Sequence, residues 1–269
     1  MPELPEVETT VRGLRPVLEK RVLTNVEARR PDLRRAIPAD LRQRLQGARV
    51  TGLGRRAKYG LIHVDRGDTL VFHLGMSGRW RIDPAHIEKH DHLVLETDAG
   101  RRLALCDPRR FGSLDLMPTE ALEAWAPFKA LGPEPFGVTG GWLAKAFEGR
   151  IAPMKAMLLD QRVVAGLGNI YVCEALNLAR IDPRKPAGSV ARAALGRLAE
   201  AIPAVLDAAI AAGGSTLRDY AQPDGELGYF ASQFRVYGRE GQACPCGRGT
   251  VARIVQSGRS TFWCPACQK

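Results

Sequence analysis

Two closely spaced cysteine pairs near the C-terminal end constrain what this chain can fold into. The pairs are Cys244 with Cys246 and Cys264 with Cys267. Pairs of this kind supply four thiolates to a tetrahedral zinc ion. The residues between them read as a β-hairpin with a turn at Ser257–Arg259. Such a ribbon has too little core to fold unaided, so we predict a structural zinc ion. Four free thiols or a redox pair are the alternatives.

The other two cysteines, Cys106 and Cys173, have apolar neighbours and are expected to be buried packing residues. The clustering of the remaining four favours metal binding over disulfides in a cytoplasmic chain. A cytoplasmic location is itself expected, because the sequence has neither an apolar run of membrane-spanning length nor an apolar N-terminal leader.

The charge balance points to a polyanionic partner. The chain carries 39 Lys and Arg against 29 Asp and Glu, a formal net charge of +10. Nucleic acid is the simplest partner for such a surface, although a solvated basic surface would give the same composition.

The N-terminus offers a nucleophile. Removal of Met1 would leave Pro2 with a free secondary amine, next to the carboxylate of Glu3. An amine can attack an electrophilic carbon to form a Schiff base, and a secondary amine gives an iminium ion that keeps its charge. The α-amine pKa of about 7.7–8.0 leaves a useful neutral fraction near pH 7. The alternative is that Pro2 merely precedes a helix.

The first half of the chain predicts a helix over residues 5–19, followed by short strands over residues 22–116. Regular short strands indicate a β-sandwich or barrel. Examples of the strand-like runs are Arg49–Leu53, Leu61–Asp65, Thr69–Leu74, His92–Thr97, Arg102–Cys106 and Ser113–Leu116.

The second half turns helical after a linker over residues 130–137. Predicted helices cover Met154–Val164, Asn169–Leu178 with Asn169 as N-cap, and Ser189–Ala212 with Ser189 as N-cap. Pro203 falls inside the last segment and predicts a kink or break there.

Two glycine-flanked loops each carry a bulky side chain near an arginine. They are residues 72–79, with Met76, and residues 107–112, with Phe111. An exposed apolar side chain of this kind suits wedging between base pairs, whereas the alternative is that both residues belong to the core. Arg259, at the hairpin turn, could bind phosphate or be an ordinary exposed arginine.

Taken together, these segments resemble the bacterial formamidopyrimidine-DNA glycosylase family. The matching motifs run through the whole chain in the family's order. They are Pro2–Thr9, Arg55–Tyr59, His73–Gly78, Lys89–His92, Asp107–Gly112, Leu131–Pro135, Leu167–Tyr171, Gly228–Phe230, Val236–Arg239 and the cysteine tail.

The resemblance implies a multi-domain α+β protein. An N-terminal β-sandwich preceded by a helix (1–130) would be followed by a helix–two-turn–helix domain with a lesion-recognition loop at 216–227 (131–230). A β-hairpin zinc finger (234–269) would end the chain. The implied function is a bifunctional DNA glycosylase and AP lyase of base excision repair. It would act as a monomer on double-stranded DNA containing 8-oxoguanine opposite cytosine, formamidopyrimidines or abasic sites.

The resemblance also assigns roles to residues. The catalytic residues would be Pro2 as nucleophile, Glu3 as acid/base, Lys58 as proton donor, and Arg259 as a phosphate ligand that assists δ-elimination. Met76, Arg109 and Phe111 match the residues that fill the void left by the flipped nucleotide, with Arg109 reading the orphaned cytosine. The further implied DNA contacts are His73, His90, Arg150, Lys155 and Asn169.

The chain departs from the family pattern at the first cysteine pair, which has one intervening residue instead of two. Gly247 stands where the family's second cysteine is expected. We expect Cys246 to be the ligand, with Gly247–Gly249 absorbing the shift; a three-cysteine site is the alternative.

Two other functions compete with this one. The related endonuclease VIII group, which removes oxidised pyrimidines, shares the amine and the zinc tail but typically reads Pro-Glu-Gly-Pro-Glu at its start. Leu4 and the set of Met76, Arg109 and Phe111 argue against it. Retention of both Pro2 and Glu3 argues against a non-catalytic DNA-binding protein.

Overall fold

The computed structural model describes residues 2–216 and 221–269. Four residues of the predicted lesion-recognition loop, 217–220, therefore lie outside the described residues, as does Met1. Packing divides the chain into two compact units. The N-terminal unit comprises Met1–Lys129 and Ile210–Tyr229, and the C-terminal unit comprises Ala130–Ala209 and Phe230–Lys269.

Helix α1 (Leu4–Leu18) opens the N-terminal unit and lies where the sequence predicts a helix. Pro5 occupies the first turn, where the missing N–H costs no intrahelical hydrogen bond. Apolar side chains recur at helical spacing along one face, and Val7, Val11 and Leu14 are buried on it. The helix packs against the neighbouring strands β2 (Val50–Arg56) and β3 (Tyr59–Val64).

Short antiparallel strands form the rest of this unit. They are β1 (Leu23–Ala28), β2, β3, β4 (Asp68–His73), β5 (Arg79–Ile82), β6 (Asp91–Thr97), β7 (Arg102–Cys106) and β8 (Ser113–Pro118). Among the described residues they make two four-stranded sheets, with spatial orders β1-β6-β7-β5 and β2-β3-β4-β8. Helices α2 (Leu41–Leu45) and α3 (Ala126–Lys129) are short.

Both sheets and α1 contribute side chains to one apolar core. Trp80 from β5 and Phe72 from β4 are buried in it and meet edge to face at 5.6 Å between ring centroids. The inner strands are buried over most of their length, as β4 and β6 show, with runs of four and five consecutive buried residues. The predicted β-sandwich preceded by a helix is confirmed. The six named runs lie close to β2, β3, β4, β6, β7 and β8, whereas β1 and β5 were not named in advance.

The C-terminal unit is helical apart from a hairpin. Its elements are α4 (Gly140–Phe147), α5 (Met154–Leu159), α6 (Asn169–Leu178), α7 (Arg192–Ala211), β9 (Ala252–Gln256) and β10 (Arg259–Trp263). The hairpin turn has only two residues, Ser257 and Gly258, with φ of 49° and 73°. Two positive φ angles match the twist of the flanking strands. Arg259 is thus the first residue of β10, opposite Gln256, rather than part of the turn.

Three boundaries of the predicted helices are wrong. The helix predicted over Met154–Val164 ends at Leu159, because the following chain folds around the side chain of Gln161. That amide donates to the carbonyl of Leu167 at 2.9 Å and accepts from the N–H of Gly166 at 2.9 Å. The N-cap of α6 is Gly168, and Asn169 is its first helical residue.

The last predicted helix begins at Arg192 instead of Ser189, since Ser189 lies in a separate 3₁₀ turn and donates its hydroxyl to the carbonyl of Pro186. Helix α7 also continues through Pro203, so of the predicted kink or break the break does not occur. A buried apolar face that includes Leu198, Ile202 and Leu206 offsets the roughly 3 kcal/mol cost of an interior proline.

No helix within residues 2–216 and 221–269 has the length and apolarity needed to cross a membrane.

Candidate active site and DNA interface

The predicted nucleophile and its neighbour lie at the start of α1. Pro2 and Glu3 are both buried. Glu3 is the N-cap of α1, with φ of −107°, and its backbone N–H donates to Glu6 Oε2 at 2.8 Å. The Glu3 carboxylate and Glu6 form a reciprocal capping box, so the chain next to Pro2 is held in a defined conformation.

Glu6 is a site residue that the sequence prediction missed. Its other carboxylate oxygen accepts from both the N–H and the hydroxyl of Ser215, each at 2.9 Å. One buried carboxylate thus joins the start of α1 to the residue that precedes the predicted lesion-recognition loop. The spacing of Glu3 and Glu6 is a capping-box signal, but its long-range partner cannot be seen in the sequence.

The described ends of that loop are fixed within the N-terminal unit. Thr216 Oγ1 accepts from the N–H of Gly228 at 2.8 Å, which closes the loop at its base. The carbonyl of Pro223 accepts from the N–H of Ile82 in β5 at 2.8 Å. The loop is therefore tied at its base and to β5, and only residues 217–220 lie outside the description.

Lys58 lies in the turn between β2 and β3, after Ala57 with φ of 51°. Its ammonium is close enough to His73 to affect the titration of that ring. His73, at the end of β4, accepts a hydrogen bond from the N–H of Gly75 through Nδ1 at 3.0 Å. Burial, followed by the charges of Lys58 and Arg34, lowers the pKa of His73 to about 4.

His73 is therefore neutral at physiological pH. Because Nδ1 accepts a hydrogen bond, the ring proton resides on Nε2, and His73 can act as a neutral donor. It cannot contribute a positive charge to phosphate binding at that pH, so any contact with DNA would be a hydrogen bond.

Met76 and Phe111 are exposed, so the alternative that both are core residues is wrong. Their relative accessibilities are 37% and 42%. The guanidinium of Arg109 lies 4.9 Å from the centroid of the Phe111 ring, within cation–π distance. An aliphatic tip, a ring and a cation thus project from neighbouring loops, as a wedge for a duplex requires.

His90 is half-buried in the segment before β6, with its ring 6.2 Å from that of His92. His92 is buried, and its Nε2 lies 2.9 Å from the carbonyl of Asp107. His92 is thus structural, while His90 retains an accessible edge.

In the C-terminal unit, Arg259 is exposed at the turn end of β10. Its strand is held from behind by two other predicted site residues. The carbonyl of Ser260 accepts from Lys155 Nζ at 2.8 Å and from Asn169 Nδ2 at 3.0 Å. Lys155 also donates to Thr261 Oγ1 at 2.6 Å.

Lys155 is only 1% exposed. Its ammonium is committed to β10, so it contributes to the site by holding the strand that bears Arg259. Asn169 shares this role through Ser260, and its amide nitrogen also lies 3.4 Å from the hydroxyl of Tyr237. Arg150, in contrast, is exposed on the loop that follows α4.

Replacement of Lys155 by methionine is expected to destabilise the protein. Met preserves most of the side-chain volume but leaves the buried Thr261 hydroxyl without this donor, at a cost of about 1–3 kcal/mol. Differential scanning calorimetry of the full-length Lys155→Met variant would measure the loss. Lys145→Met, at an exposed position on α4, is the matched control. Equal, small effects of the two substitutions would contradict a supporting role for Lys155.

The four tail cysteines form one cluster. Their Sγ atoms all lie within 4.8 Å of one another. Cys244 Sγ lies 3.9 Å from Cys267 Sγ, and Cys246 Sγ lies 3.8 Å from Cys264 Sγ. Zn–S bonds of about 2.3 Å in a tetrahedron require S–S edges of about 3.8 Å, so this donor set fits a zinc ion.

The shortened first pair does not remove a cysteine from the cluster. Gly247 has φ of 70°, a left-handed conformation that lets the chain turn back directly after Cys246. The N–H of Arg248 donates to Cys246 Sγ at 3.4 Å. This hydrogen bond, followed by those with the other three cysteines, lowers the pKa of Cys246 to about 7. The expected accommodation by Gly247–Gly249 thus agrees with the structure.

Two buried amides support the cluster, and sequence reasoning missed both. Asn177 Nδ2 lies 3.9 Å from the sulfurs of Cys244 and Cys267 and donates to Gln268 Oε1 at 2.9 Å. Gln268 in turn accepts from the N–H of Cys264 at 2.8 Å. These contacts fix the cysteine side chains, as hydrogen bonds around the ligands of a metal site do.

Glu174 attaches the tail to α6. Its buried carboxylate accepts from the backbone N–H groups of Arg235, Val236 and Tyr237 at 2.8, 3.0 and 2.8 Å. Burial raises its pKa, an effect partly opposed by these three donors. The chain that leads into the hairpin is therefore fixed at one point on α6.

Comparisons with known proteins match this arrangement. Residues 1–114 match the formamidopyrimidine-DNA glycosylase N-terminal domain, and residues 131–221 match the corresponding H2TH domain. Proteins named formamidopyrimidine-DNA glycosylase from Rhizorhabdus wittichii and Novosphingobium aromaticivorans are 70% and 69% identical, each over 100% of both chains. The chain belongs to the formamidopyrimidine-DNA glycosylase family.

Solved structures of the family share the fold. A Lactococcus lactis Fpg mutant in complex with Fapy-dG-containing DNA has a TM-score of 0.92 at 33% identity, covering 100% of both chains. The Thermus thermophilus Fpg protein has a TM-score of 0.89 at 40% identity, covering 99% of this chain and 98% of its own. Membership of the formamidopyrimidine-DNA glycosylase family is thus supported along the whole chain, and the endonuclease VIII alternative is not favoured.

Proposed function

We propose that this chain is a bifunctional DNA glycosylase and AP lyase of base excision repair. It would excise 8-oxoguanine opposite cytosine and formamidopyrimidines from double-stranded DNA. The observation that carries the proposal is the Pro2–Glu3 start, ordered by the α1 capping box, in a chain that matches formamidopyrimidine-DNA glycosylases over its whole length. Family members solved with Fapy-dG-containing and abasic DNA support DNA as the partner. Such a substrate implies a cytoplasmic location at the nucleoid.

The reaction begins at Pro2. After removal of Met1, the secondary amine attacks C1′ of the damaged nucleotide, and the bond to the base breaks. The positive end of the α1 dipole favours the neutral amine, whereas the adjacent Glu3 carboxylate favours the ammonium form. Glu3 supplies and accepts protons as the base leaves and the sugar opens.

Strand cleavage follows from the iminium ion. Its positive charge acidifies the C2′ proton, so loss of that proton expels the 3′ phosphate by β-elimination, and δ-elimination then expels the 5′ phosphate. Lys58 donates protons around the first elimination. Arg259 binds a phosphate next to the lesion bidentately and assists the second.

The remaining DNA contacts hold a flipped nucleotide. Met76, Arg109 and Phe111 fill the space that it leaves, and Arg109 binds the orphaned cytosine. Further hydrogen bonds or charges come from His73, His90 and Arg150, while Lys155 and Asn169 support the Arg259 strand from within the C-terminal unit.

One structural Zn²⁺ completes the proposal. Cys244, Cys246, Cys264 and Cys267 would hold it, as the S–S distances of the cluster support. When bound, the ion would supply folding energy to the hairpin and would take no part in the reaction, because four thiolates would leave no coordination position for substrate.

Borohydride trapping tests the proposed activity. Duplexes carrying 8-oxoguanine opposite cytosine, and thymine glycol in the same sequence, are incubated with the protein and reductant, and mass spectrometry locates the adduct. We expect an adduct on Pro2 that forms faster with 8-oxoguanine. Faster trapping with thymine glycol would overturn the lesion class, and an adduct on a lysine would overturn the role of Pro2.

A further inference from the structure

The two loops that carry Met76 and Phe111 are joined through one buried carboxylate. Asp107 is 1% exposed. Its Oδ1 accepts from the hydroxyl of Ser77 at 2.6 Å, and its Oδ2 accepts from the N–H of Gly112 at 2.8 Å. Each oxygen therefore binds the residue that directly follows one of the two exposed apolar side chains.

Backbone contacts bring the same loops together. The hydroxyl of Ser77 also accepts from the N–H of Arg109 at 3.3 Å, which places the Arg109 backbone against the Met76 loop. Gly75 has φ of 61°, and a Cβ there would overlap the backbone of Phe111 and Gly112. The loops touch at a point where only glycine fits.

Asp107 itself is anchored to the sheet. It follows β7 directly, its N–H donates to the carbonyl of His90 at 2.9 Å, and its carbonyl lies 2.9 Å from His92 Nε2. The carboxylate is thus fixed on the sandwich, whereas Met76, Arg109 and Phe111 project to solvent. A displacement of the carboxylate would move both loops.

We propose that Asp107 is a positioning residue that sets the placement of Met76 relative to Arg109 and Phe111, and thereby the discrimination of the base opposite the lesion. The inference rests on the proposed function, in which these three side chains occupy the vacated space. Met76 has a flexible side chain, and within residues 2–216 and 221–269 the Phe111 ring is stacked by the guanidinium of Arg109 from the same loop. The placement of both side chains is therefore set by the backbone of their loops. Recognition groups must be held to within about 0.5 Å, which hydrogen-bonded loops achieve and free loops do not.

Two variants break the connection. Asp107→Asn keeps the size of the side chain but replaces one of its two acceptor oxygens by an NH₂ group. The hydroxyl of Ser77 and the N–H of Gly112 each need an acceptor, so one of these two hydrogen bonds is lost. Ser77→Ala removes one donor and the acceptor for Arg109 N while leaving Asp107 in place. The matched control is Asp68→Asn, which removes an ion pair with Arg44 in the same unit at the start of β4.

The readout is the ratio of single-turnover excision rates for 8-oxoguanine opposite cytosine and opposite adenine. We expect this ratio to fall by about tenfold in Asp107→Asn and about threefold in Ser77→Ala, because each leaves a buried polar group unpaired. Asp68→Asn should keep the wild-type ratio. Calorimetry would establish that each variant is folded at the assay temperature.

A single-stranded oligonucleotide with an abasic site distinguishes a positioning role from a general loss of enzyme activity in the variants, because it has no opposite base to recognise. Borohydride trapping on it should be within about twofold of wild type in both variants, since loss of the loop connection leaves Pro2 untouched. An unchanged cytosine-to-adenine ratio in folded Asp107→Asn would overturn the inference, as would an equal loss of single-strand trapping. Absence of trapping by the wild type on every substrate would instead overturn the proposed function.

Discussion

Blocking the N-terminal amine is expected to abolish excision, strand cleavage and borohydride trapping while DNA binding persists. An uncleaved tag in front of Pro2 converts its nitrogen to an amide, which has no lone pair available for attack on C1′. The same tag at the C-terminus is the matched control and should leave trapping intact. Gel-based trapping and fluorescence anisotropy on one 8-oxoguanine duplex measure the two properties. Full cleavage by the N-terminally tagged protein would reject the amine mechanism.

Glu3→Gln separates proton transfer from nucleophilic attack in the same assay. Glutamine can still accept the hydrogen bond that caps α1, so the local fold is retained. Loss of a positioned acid/base costs about 10²–10⁴-fold in rate, and we expect a decrease of that order in excision of 8-oxoguanine. Trapping on a pre-formed abasic site should fall less, because the base has already left. An equal loss on both substrates would assign Glu3 a role beyond departure of the base.

Removal of the tail metal is expected to have the second largest effect. The hairpin buries a small core in which the cysteines themselves, with Val236 and Val251, are principal members. Structural zinc contributes about 10–16 kcal/mol in small domains of this kind, so the hairpin should unfold without it. Arg259 would then lose its position. We expect DNA affinity to fall by about tenfold to a hundredfold, since a charge-assisted hydrogen bond is worth about 1.5–3 kcal/mol.

Cys264→Ser and chelation of the wild-type protein test this expectation independently. Anisotropy measures DNA affinity, elemental analysis measures zinc, and hydrogen exchange by mass spectrometry shows which unit is affected. Exchange should rise at β9 and β10 and stay low at α1 and the sandwich strands. Cys106→Ala, at a buried cysteine outside the cluster, should retain zinc. Normal affinity after verified zinc loss would exclude a role for the tail in binding.

The local signals in the sequence were sufficient for much of the fold. Short strand-like runs separated by turn residues indicated the strands, because both signals depend only on neighbouring residues along the chain. The same local reasoning failed where long-range packing determines the extent of a helix. Pro203 lies inside α7 because the buried face around it compensates a lost hydrogen bond, and Arg192 rather than Ser189 begins that helix.

Short-range spacing in the sequence also indicated the candidate nucleophile and the candidate metal ligands. The Pro2–Glu3 start and the two cysteine pairs were found by position alone, and the cysteines do cluster. The sequence did not predict which apolar side chains are exposed, since a lone Met or Phe in a glycine-rich loop is usually buried. Met76 and Phe111 are exposed, and Gly75 and Asp107 contact the chain next to Phe111.

The sequence by itself determined the family, the sandwich and helical segments, and the residue types available for amine and thiolate chemistry, because these depend on neighbours along the chain. Only the tertiary structure decided the partners of the buried polar groups. Glu6 meets Ser215, Asp107 meets Ser77, and Lys155 meets Ser260 across 209, 30 and 105 residues of sequence. A buried charged group needs hydrogen-bond partners, and the fold supplies them from residues that are distant in the sequence. No local sequence pattern indicates which distant residue will be the partner.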